Sequence, residues 1–297
     1  MDGLHSAARV VSARQTLPAR LRRLWAYREL LVGMTRTALK VKYKNSALGF
    51  VWSMLNPALY LVVYYVVFQL ILKNGVPYFT IYLLSGLLVW NLFSAALAGA
   101  TGSVVGNAGL IKKVDFPREI LPLAAIGAAL THFFLQTLVL FGALAVFQYG
   151  VNWAYIPLLV PALLVLLILA AAIGVLLSAI NVYMRDMQHM LELLLLAWFW
   201  GTPIVWYIRL IDNPVHPNRH ALMLLNPITA VTLTFQRALY GRLSFKDATG
   251  KTHQIIPDYS VLQHLELLGA VAVVSVVLLW IALVVFGRLE GNFAEEL

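Results

Sequence analysis

Few side chains in this sequence stand at spacings that support covalent chemistry. Ionisable groups are sparse in the apolar runs: His132 is the clearest, and Glu192 and Glu266 lie near the ends of their runs. Ionisable groups inside membrane segments commonly mark proton or ion pathways. A proton-coupled transporter would more often set acidic groups near the midplane. We therefore interpret His132 as a packed, hydrogen-bonded residue rather than a proton relay.

The tripeptide Gly250-Lys251-Thr252 resembles the end of a phosphate-binding loop. That motif requires a glycine five residues before Gly250, where this chain has Phe245. There is no HExxH or GxSxG motif, and the long polar loop around the tripeptide shows no metal-ligand spacing. The loop's acidic and histidine residues are Asp212, Asp247, Asp258, His216, His220 and His253. We predict no catalytic residue, metal site or cofactor in this chain, which disfavours a membrane-embedded glycan-processing enzyme.

Aromatic residues form a more informative pattern. Tyr60, Tyr64 and Phe68 are four residues apart and form one stripe along a helix, while Trp198 and Phe199 lie in another apolar run. Tyrosine and tryptophan commonly anchor helix ends at the membrane interface, but Tyr60, Tyr64 and Trp198 fall deeper. Rings with polar tips offer a surface on which sugar rings can slide. We predict that these five residues line a channel; ordinary helix packing is the alternative.

Two proline motifs interrupt apolar runs, Asn56-Pro57 and Gly201-Thr202-Pro203. Proline removes a backbone hydrogen bond and bends a helix, and membrane helices accept this where neighbours or a cavity satisfy the freed carbonyl groups. The bends suggest a gate or a cavity, although packing alone could explain either.

The polar segment from Asn107 to Glu119 separates two apolar runs. Leu110 to Val114 is predicted to form a short helix, Asp115 to cap the next helix, and Pro117 to fit its first turn. We expect Leu110, Ile111 and Phe116 to be exposed beside charged residues, as a docking knob for a soluble partner. A simple interfacial turn is the alternative.

The elements that carry these residues are membrane helices. Hydrophobic residues make up 61% of the 297-residue chain and charged residues 12%, too few to cover a soluble fold. A spanning helix needs about 20 mainly apolar residues. The sequence predicts an all-α membrane protein with six spans, at 48–72, 79–100, 121–147, 155–182, 187–210 and 262–286. The more polar run at 222–240 is predicted to form short re-entrant helices.

Basic residues predict the orientation. Fifteen of the 22 lysines and arginines lie on the side that carries both termini, which we therefore place in the cytoplasm. Residues 24–44 form a basic amphipathic pattern typical of a helix lying in the membrane interface, after an N-terminal extension over 1–23. Topology and lipid contact then explain the net charge of +9, and no motif indicates nucleic-acid binding. The chain has no cysteine, which excludes disulfides and thiolate chemistry.

Five short motifs stand out along the chain: Tyr43 to Trp52 with Leu55-Asn56-Pro57, Phe116 to Pro122, Val182 to Met187, Leu225 to Thr229, and Gly291 to Leu297. In this order they resemble the motifs of ABC-2 type export permeases, and the polysaccharide exporters of the Wzm, teichoic-acid and actinobacterial galactan type are the most similar group. The resemblance covers the chain from about Trp25 to its end, that is, the whole predicted transmembrane domain, 24–297.

The resemblance implies a homodimeric permease in a bacterial cell membrane, with two ATP-binding subunits that hold ATP and magnesium. The loop between spans two and three would then couple to the ATPase through Leu110, Ile111, Lys112, Lys113, Phe116, Pro117, Arg118 and Glu119. The segments between spans five and six would form an outer gate that contains Asn226, Pro227, Thr229 and Arg237. The implied cargo is a glycan built on a polyprenyl diphosphate lipid.

The physical requirements of that cargo agree with the pattern. A charged lipid diphosphate and a hydroxyl-rich polymer cannot cross hydrocarbon unaided. We expect Arg36, Lys40, Lys42 and Lys44 to receive the diphosphate near the inner mouth. The alternative is an ABC-2 exporter of a drug or lipid without a long glycan. A secondary transporter would tend to show an internal repeat, and none is visible.

Overall fold

The computed structural model describes residues 17–44, 51–72, 75–212, 219–246, 250 and 252–297, and these residues are mostly helical. Two N-terminal helices come first, α1 (Leu17–Ala26) and α2 (Arg28–Tyr43). The predicted continuous interface helix over 24–44 is therefore divided at Tyr27. Residues 1–16 of the predicted extension and residues 45–50 of the first motif lie outside the described residues.

The remaining elements follow in chain order. They are α3 (Trp52–Tyr64), its π-helical continuation Tyr65–Ile71, α4 (Phe79–Gly106), α5 (Ala108–Ile111), α6 (Ile120–Val146), the 3-10 turn Ile156–Leu158, α7 (Leu159–Tyr183), α8 (Met187–Trp200), the 3-10 turns Ile208–Ile211 and Arg219–Leu225, α9 (Pro227–Leu239), β1 (Ser244–Lys246), β2 (Thr252–Gln254), α10 (Val261–Leu289), the 3-10 turn Glu290–Asn292 and α11 (Phe293–Glu296).

The central helix of the bundle is α4, which packs against α6, α7, α8 and α9. Its crossing with α7 is close because Gly174 faces Ala100: a Cβ atom built on Gly174 lies 2.7 Å from the Ala100 Cβ. In lipid, the hydrophobic effect does not drive helices together. Small residues at such crossings instead let membrane helices approach closely and pack. Glycine and alanine therefore make this one crossing tight, while large side chains such as Phe93 fill other parts of the core.

Four helical stretches in the described chain are long and apolar enough to cross a bilayer. They are Phe79–Gly106, Ile120–Val146, Ile156–Tyr183 and Val261–Glu296, and a shorter apolar helix covers Pro57–Ile71. The first four coincide with predicted spans two, three, four and six, and the shorter helix with predicted span one. Pro57 lies inside α3, and the irregular part of this helix is the π-helical stretch further along.

The prediction that one helix continues to Leu210 is wrong. Helix α8 ends at Trp200, and its 14 residues have a length of about 21 Å against a hydrocarbon core of about 30 Å. Pro203 lacks the N–H that a continuing helix needs, so the chain turns at Gly201 instead of merely bending. The count of six spans stays a prediction.

Residues 219–240 form two short helices, the 3-10 turn Arg219–Leu225 and α9. Asn226 begins α9, because its Oδ1 accepts a hydrogen bond of 3.1 Å from the Ile228 backbone N–H, and Pro227 occupies the first turn. With 13 residues, α9 is about 20 Å long and too short to cross the hydrocarbon core alone. It is buried on all sides, against α4, α7 and α10.

The all-α prediction needs one correction. Strands β1 and β2 form an antiparallel hairpin in which Phe245 lies opposite His253. Gly250, with φ +82°, belongs to the connection between the strands, where a left-handed backbone is expected. Gly250 and Thr252 therefore belong to a hairpin and not to the start of a phosphate-binding helix.

Candidate coupling and translocation sites

The loop between α4 and α6 buries residues that the sequence predicts to be exposed. Ile111 and Phe116 lie in an apolar cluster with Phe286 and Phe293, and Leu110 is half-buried. The prediction of an exposed apolar knob is wrong, because these side chains complete the core at the end of the bundle that carries α1 and α11, which we call the inner end. The exposed residues of the loop are Lys112, Lys113, Val114 and Asp115.

The local structure of this loop also differs from the prediction. Helix α5 ends at Ile111 instead of extending to Val114. Helix α6 begins at Ile120 without a side-chain cap, and Asp115 instead lies 3.5 Å from Nη2 of Arg23 on α1. Pro117 is buried just before α6. The loop is therefore shaped by contacts with distant parts of the chain rather than by local capping.

A buried ion cluster joins the loop to both ends of the chain. Nη1 of Arg20 lies 3.4 Å from Oε1 of Glu119 and donates a hydrogen bond of 2.6 Å to the carbonyl of Leu283, while Nη2 pairs with Glu290. A Cβ atom on Gly287 would overlap the Arg20 guanidinium, so glycine leaves the route to these partners open. One arginine thus connects α1, the α4–α6 loop and α10.

The C-terminal tail is held against the same loop. Arg118 donates a hydrogen bond to the backbone carbonyl of Glu290, and its guanidinium lies 5.8 Å from the ring centre of Phe293. The hydroxyl of Tyr183 donates to the carbonyl of Leu289 over 2.8 Å. Sequence reasoning identifies the Phe-Pro-Arg-Glu motif and the tail separately but misses Arg20 and Glu290. The residue that could have pointed to Arg20 is Glu119, because a carboxylate that becomes buried requires a cation nearby.

The four predicted diphosphate-binding residues lie on and just after α2, which runs along the first half of α6, from Ala124 to His132. Arg36, Lys40, Lys42 and Lys44 are all exposed. Arg36 and Lys40 are one helical turn apart and share a face, whereas Nζ of Lys42 lies 3.3 Å from Nε2 of His132 on α6. His132 therefore has a polar neighbour, as the hydrogen-bonded interpretation requires.

Helix α2 is held against α6 by a small-residue contact. A Cβ atom on Gly127 would lie 2.9 Å from Oγ1 of Thr35, and that hydroxyl is 3.4 Å from the carbonyl of Ala124. The basic residues are therefore presented by a helix that packs closely on the bundle.

The aromatic stripe of α3 is continuous in space. Tyr60 stacks on Tyr64 with ring centres 5.9 Å apart, and Tyr64 lies 6.2 Å from Phe68 in the π-helical stretch. Phe68 then contacts Phe79 at the start of α4, at 5.0 Å. Tyr60 is 51% exposed, while Tyr64 and Phe68 are half-buried. The stripe thus lies along one partly exposed side of the protomer, and Tyr60 is its most exposed ring.

Trp198 and Phe199 belong to a second aromatic group, on α8. Trp198 packs on Phe93 at 5.2 Å and Phe199 on Trp90 at 5.4 Å, so their rings lie against α4. The indole N–H of Trp198 donates a hydrogen bond of 2.9 Å to Oδ1 of Asn226. These contacts give both residues a packing role, whichever surface they also line.

Asn226 stabilises the break after α8. Its amide nitrogen donates to the carbonyl of Gly201 over 3.2 Å and to Oγ1 of Thr202 over 2.9 Å. A carbonyl left without a helical partner is thereby satisfied, which non-helical backbone at membrane depth requires. A predicted outer-gate residue and a predicted channel residue, Trp198, are thus directly bonded.

The other predicted gate residues lie inside the protomer. Thr229 is buried on α9, and Pro227 is half-buried. Arg237 is buried against Tyr155, 4.6 Å from its ring centre, and pairs with Asp258 over 3.1 Å. Arg237 therefore anchors α9 through Tyr155 and Asp258, and neither Thr229 nor Arg237 lines an open surface.

Asp212 and Asp258, the acidic residues described between α8 and α10, are both engaged in ion pairs. Asp212 accepts hydrogen bonds from Arg209 and from the backbone N–H of His220, and lies 2.9 Å from Nδ1 of that histidine. Burial opposes ionisation of Asp212, but these hydrogen bonds outweigh it and hold the pKa of the carboxyl below its usual range. Asp247, His216 and Lys251 lie outside the described residues.

The family described as ABC-2 type transporter matches residues 29–240. The chain therefore belongs to the ABC-2 family of transporter membrane subunits, and the resemblance found in its motifs is confirmed.

Its relatives narrow the class to permeases of polysaccharide export. The chain is 32% identical to the O-antigen export system permease protein RfbA of Myxococcus xanthus, over 93% of this chain and 98% of that protein. It is 27% identical to the protein of the same name from Klebsiella pneumoniae, over 91% and 95% of the two chains. The polysialic acid transport protein KpsM of Escherichia coli is 24% identical over 69% and 80%.

Proposed function

We propose that this protein is the membrane-spanning permease subunit of an ATP-driven exporter, which moves a polyprenyl-diphosphate-linked polysaccharide from the cytoplasm to the outer side of a bacterial cell membrane. Relatives named for the export of O-antigen and polysialic acid support a polysaccharide cargo. The structural observation that carries the proposal is the half-exposed aromatic stripe Tyr60–Tyr64–Phe68. Its rings offer apolar faces to sugars and its hydroxyl groups offer hydrogen bonds.

A second copy of the chain completes the path. The stripe lies on an exposed side of the protomer, so a tunnel for a polymer needs an opposing wall. A twofold-related protomer supplies the same stripe, because a symmetric dimer uses the same surface on both sides. Weak contacts repeated along the two stripes let a chain of sugars advance without being trapped at one site.

The ATP-binding partner docks at the inner end, and it binds ATP and magnesium while this chain does no covalent chemistry. Lys112, Lys113 and Asp115 form the exposed contact surface, and Ile111 and Phe116 anchor it to the core. A force on this surface reaches α1 and the tail through Arg118, Glu119 and Arg20. Both termini then lie in the cytoplasm.

The diphosphate is received by Arg36 and Lys40, with Lys42 and Lys44 nearby. Exposed cations on one helical face attract a phosphate group and form charge-assisted hydrogen bonds with it. Reversing the charge of Arg36 and Lys40 together should abolish export while the dimer still assembles. Normal export by such an assembled variant would show that the diphosphate is received elsewhere.

Deletion of the gene tests the cargo. Cells without this protein should lose their surface polysaccharide and accumulate its lipid-linked precursor inside, as followed by gel electrophoresis of surface and cytoplasmic glycan. Retention of normal surface glycan with a changed drug or lipid profile would instead favour the alternative cargo. In complemented cells, Tyr60→Ala should reduce export several-fold. Leu59→Ala, a neighbouring exposed position on α3, should not.

A further inference from the structure

A cleft of about 610 Å³ opens at the end of the bundle opposite to the inner end, which we call the outer end. Three chain segments form it: the residue before α4, the connection between α6 and α7, and the residues after α9. The side chains that matter for its chemistry are Tyr78, Gln148, Tyr149, Asn152, Trp153 and Arg242. A cleft of this size accommodates a small ligand of one or two rings.

Residues with a left-handed backbone conformation are concentrated around the cleft. Tyr78 has φ +52° and Gln148 has φ +49°, and these are the only non-glycine residues with positive φ in the described chain. Gly241, also lining the cleft, has φ +70°. A left-handed backbone at a residue with a side chain costs of order 1 kcal/mol and persists only where surrounding contacts enforce it. Such strain is typical of functional sites.

Contacts of the half-buried Tyr149 and the buried Tyr240 enforce this arrangement. Tyr149 stacks on Tyr240 with ring centres 6.0 Å apart and donates a hydrogen bond of 2.6 Å to its carbonyl oxygen. The hydroxyl of Tyr240 donates to the carbonyl of Pro77 over 3.0 Å, and the backbone N–H of Asn152 donates to the carbonyl of Ala238 over 2.9 Å. All three segments are therefore fixed before any ligand arrives.

The cleft presents one cation on an aromatic support. The guanidinium carbon of Arg242 lies 5.3 Å from the ring centre of Tyr78 and 5.6 Å from that of Tyr149, and its Nε donates to the Tyr149 hydroxyl over 3.2 Å. The side chain is nevertheless exposed. This geometry holds the planar guanidinium in one orientation while it faces solvent.

The remaining chemistry is that of sugar recognition. Trp153 at the rim is 78% exposed and offers an indole face, and Gln148 is also exposed. Asn152 adds a second amide, and none of the cleft residues is acidic. Apolar ring faces stack on pyranose rings, while planar amide and guanidinium groups pair with adjacent hydroxyl or carboxylate oxygens.

We infer that this cleft is a saccharide-binding subsite at the outer end of the permease, which holds one or two sugar units of the emerging glycan. The inference rests on the proposed function, because that function supplies the glycan. An anionic lipid headgroup would also meet Arg242, but the exposed Trp153 ring and the two amides serve a neutral or acidic sugar better than a phosphate. Binding here would hinder backward movement of the polymer.

Binding measurements on the full-length permease in lipid nanodiscs test the subsite. The probe is a set of end-labelled oligosaccharides, released by mild acid from the surface polysaccharide of the producing cells. Trp153→Ala and Arg242→Gln should each weaken binding about 10-fold, the scale of one lost aromatic or charge-assisted contact. Trp280→Ala and Lys246→Gln change an exposed tryptophan and an exposed cation outside the cleft and should leave affinity unchanged.

Two results would overturn the subsite. One is equal affinity of the wild type, Trp153→Ala and Arg242→Gln. The other is an Arg242→Gln variant that binds the oligosaccharides as the wild type does but retains less phosphatidylglycerol. Comparison of neutral with phosphatidylglycerol-containing nanodiscs measures this retention. Complementation of the deletion cells separates this proposal from the proposed function. If the wild-type protein restores surface glycan, only the subsite is refuted. If it restores none, the proposed function is refuted as well.

The strained residue gives a second, independent test. Gln148→Gly should raise the melting temperature, because glycine adopts positive φ freely, and should weaken oligosaccharide binding. Gln148→Ala keeps the strain and loses the amide, so it should weaken binding without that gain in stability. If both variants bind as the wild type does, Gln148 has no part in recognition and the subsite loses one of its two amides.

Discussion

The indole nitrogen of Trp198 lies 2.9 Å from Oδ1 of Asn226, and this hydrogen bond ties the end of α8 to the start of α9. The same amide caps α9 at Ile228 and satisfies the chain break at Gly201 and Thr202. One asparagine therefore sets where two helices meet. Any motion of α9 as an outer gate has to break or carry along these bonds.

Removal of the Asn226 side chain should destabilise the protein strongly. Asn226→Ala loses a helix cap and leaves buried polar partners unsatisfied, at an expected cost of about 2–4 kcal/mol in unfolding free energy. Trp198→Phe removes only one donor and should cost about 1 kcal/mol. Melting curves of the solubilised variants measure both effects. If the Trp198→Phe, Asn226→Ala double variant is as stable as Asn226→Ala alone, the two residues act through one bond. Additive losses of unfolding free energy would contradict this. Trp200→Phe at an exposed position is the control.

Substitution of Arg20 should destabilise the inner end. The side chain is 11% exposed and that of Glu119 is 4% exposed, so Arg20→Ala leaves the buried Glu119 carboxylate without its cation, at a cost of about 3 kcal/mol. Arg22→Ala, at an exposed position of the same helix, should have little effect. Thermal melting distinguishes the two. Adding Glu290→Gln should recover part of the lost stability, because it removes one uncompensated charge; no recovery would mean that Glu290 is not held ionised by Arg20.

The exposed and buried parts of the α4–α6 loop should respond differently to substitution. Reversing Lys112 and Lys113 to glutamate should reduce co-purification of the ATP-binding partner with little change in melting temperature, because both side chains are exposed. Phe116→Ala should instead lower stability by about 3–5 kcal/mol, since it opens a cavity in the inner core. Lys246→Glu serves as a charge control remote from the loop. Unchanged partner binding by the double reversal would move the docking surface elsewhere.

Two glycine substitutions should have opposite effects on stability. Gly174→Ala places a Cβ atom 2.7 Å from that of Ala100 and should destabilise the α4–α7 crossing by about 1–3 kcal/mol. A methyl group added at Gly142 on α6 would meet no atom within 4 Å, so Gly142→Ala should stabilise by up to about 1 kcal/mol. Denaturation in detergent compares the pair directly. A stabilising Gly174→Ala would mean that the crossing can open without cost.

Hydropathy and proline positions predict most of the helices but not the end of α8. Apolar length identifies α4, α6, α7 and α10 because lipid imposes a minimum of about 20 apolar residues on a spanning helix. Pro203 predicts only a kink, since a proline in a long apolar run often bends a helix without ending it. The amide of Asn226 makes a complete turn possible here by satisfying the carbonyl of Gly201.

By itself the sequence determined that this is a membrane protein with basic residues gathered in its N-terminal segment, an aromatic stripe at helical spacing and the motifs of ABC-2 export permeases. These are properties of composition and short-range periodicity, which each segment carries alone. The tertiary structure decided that Ile111 and Phe116 are buried, that Arg20 joins Glu119 to Glu290, and that Tyr78, Gln148 and Arg242 meet in one cleft. Such contacts join residues far apart in the chain, and local pattern does not encode which distant side chain will supply a buried group with its partner.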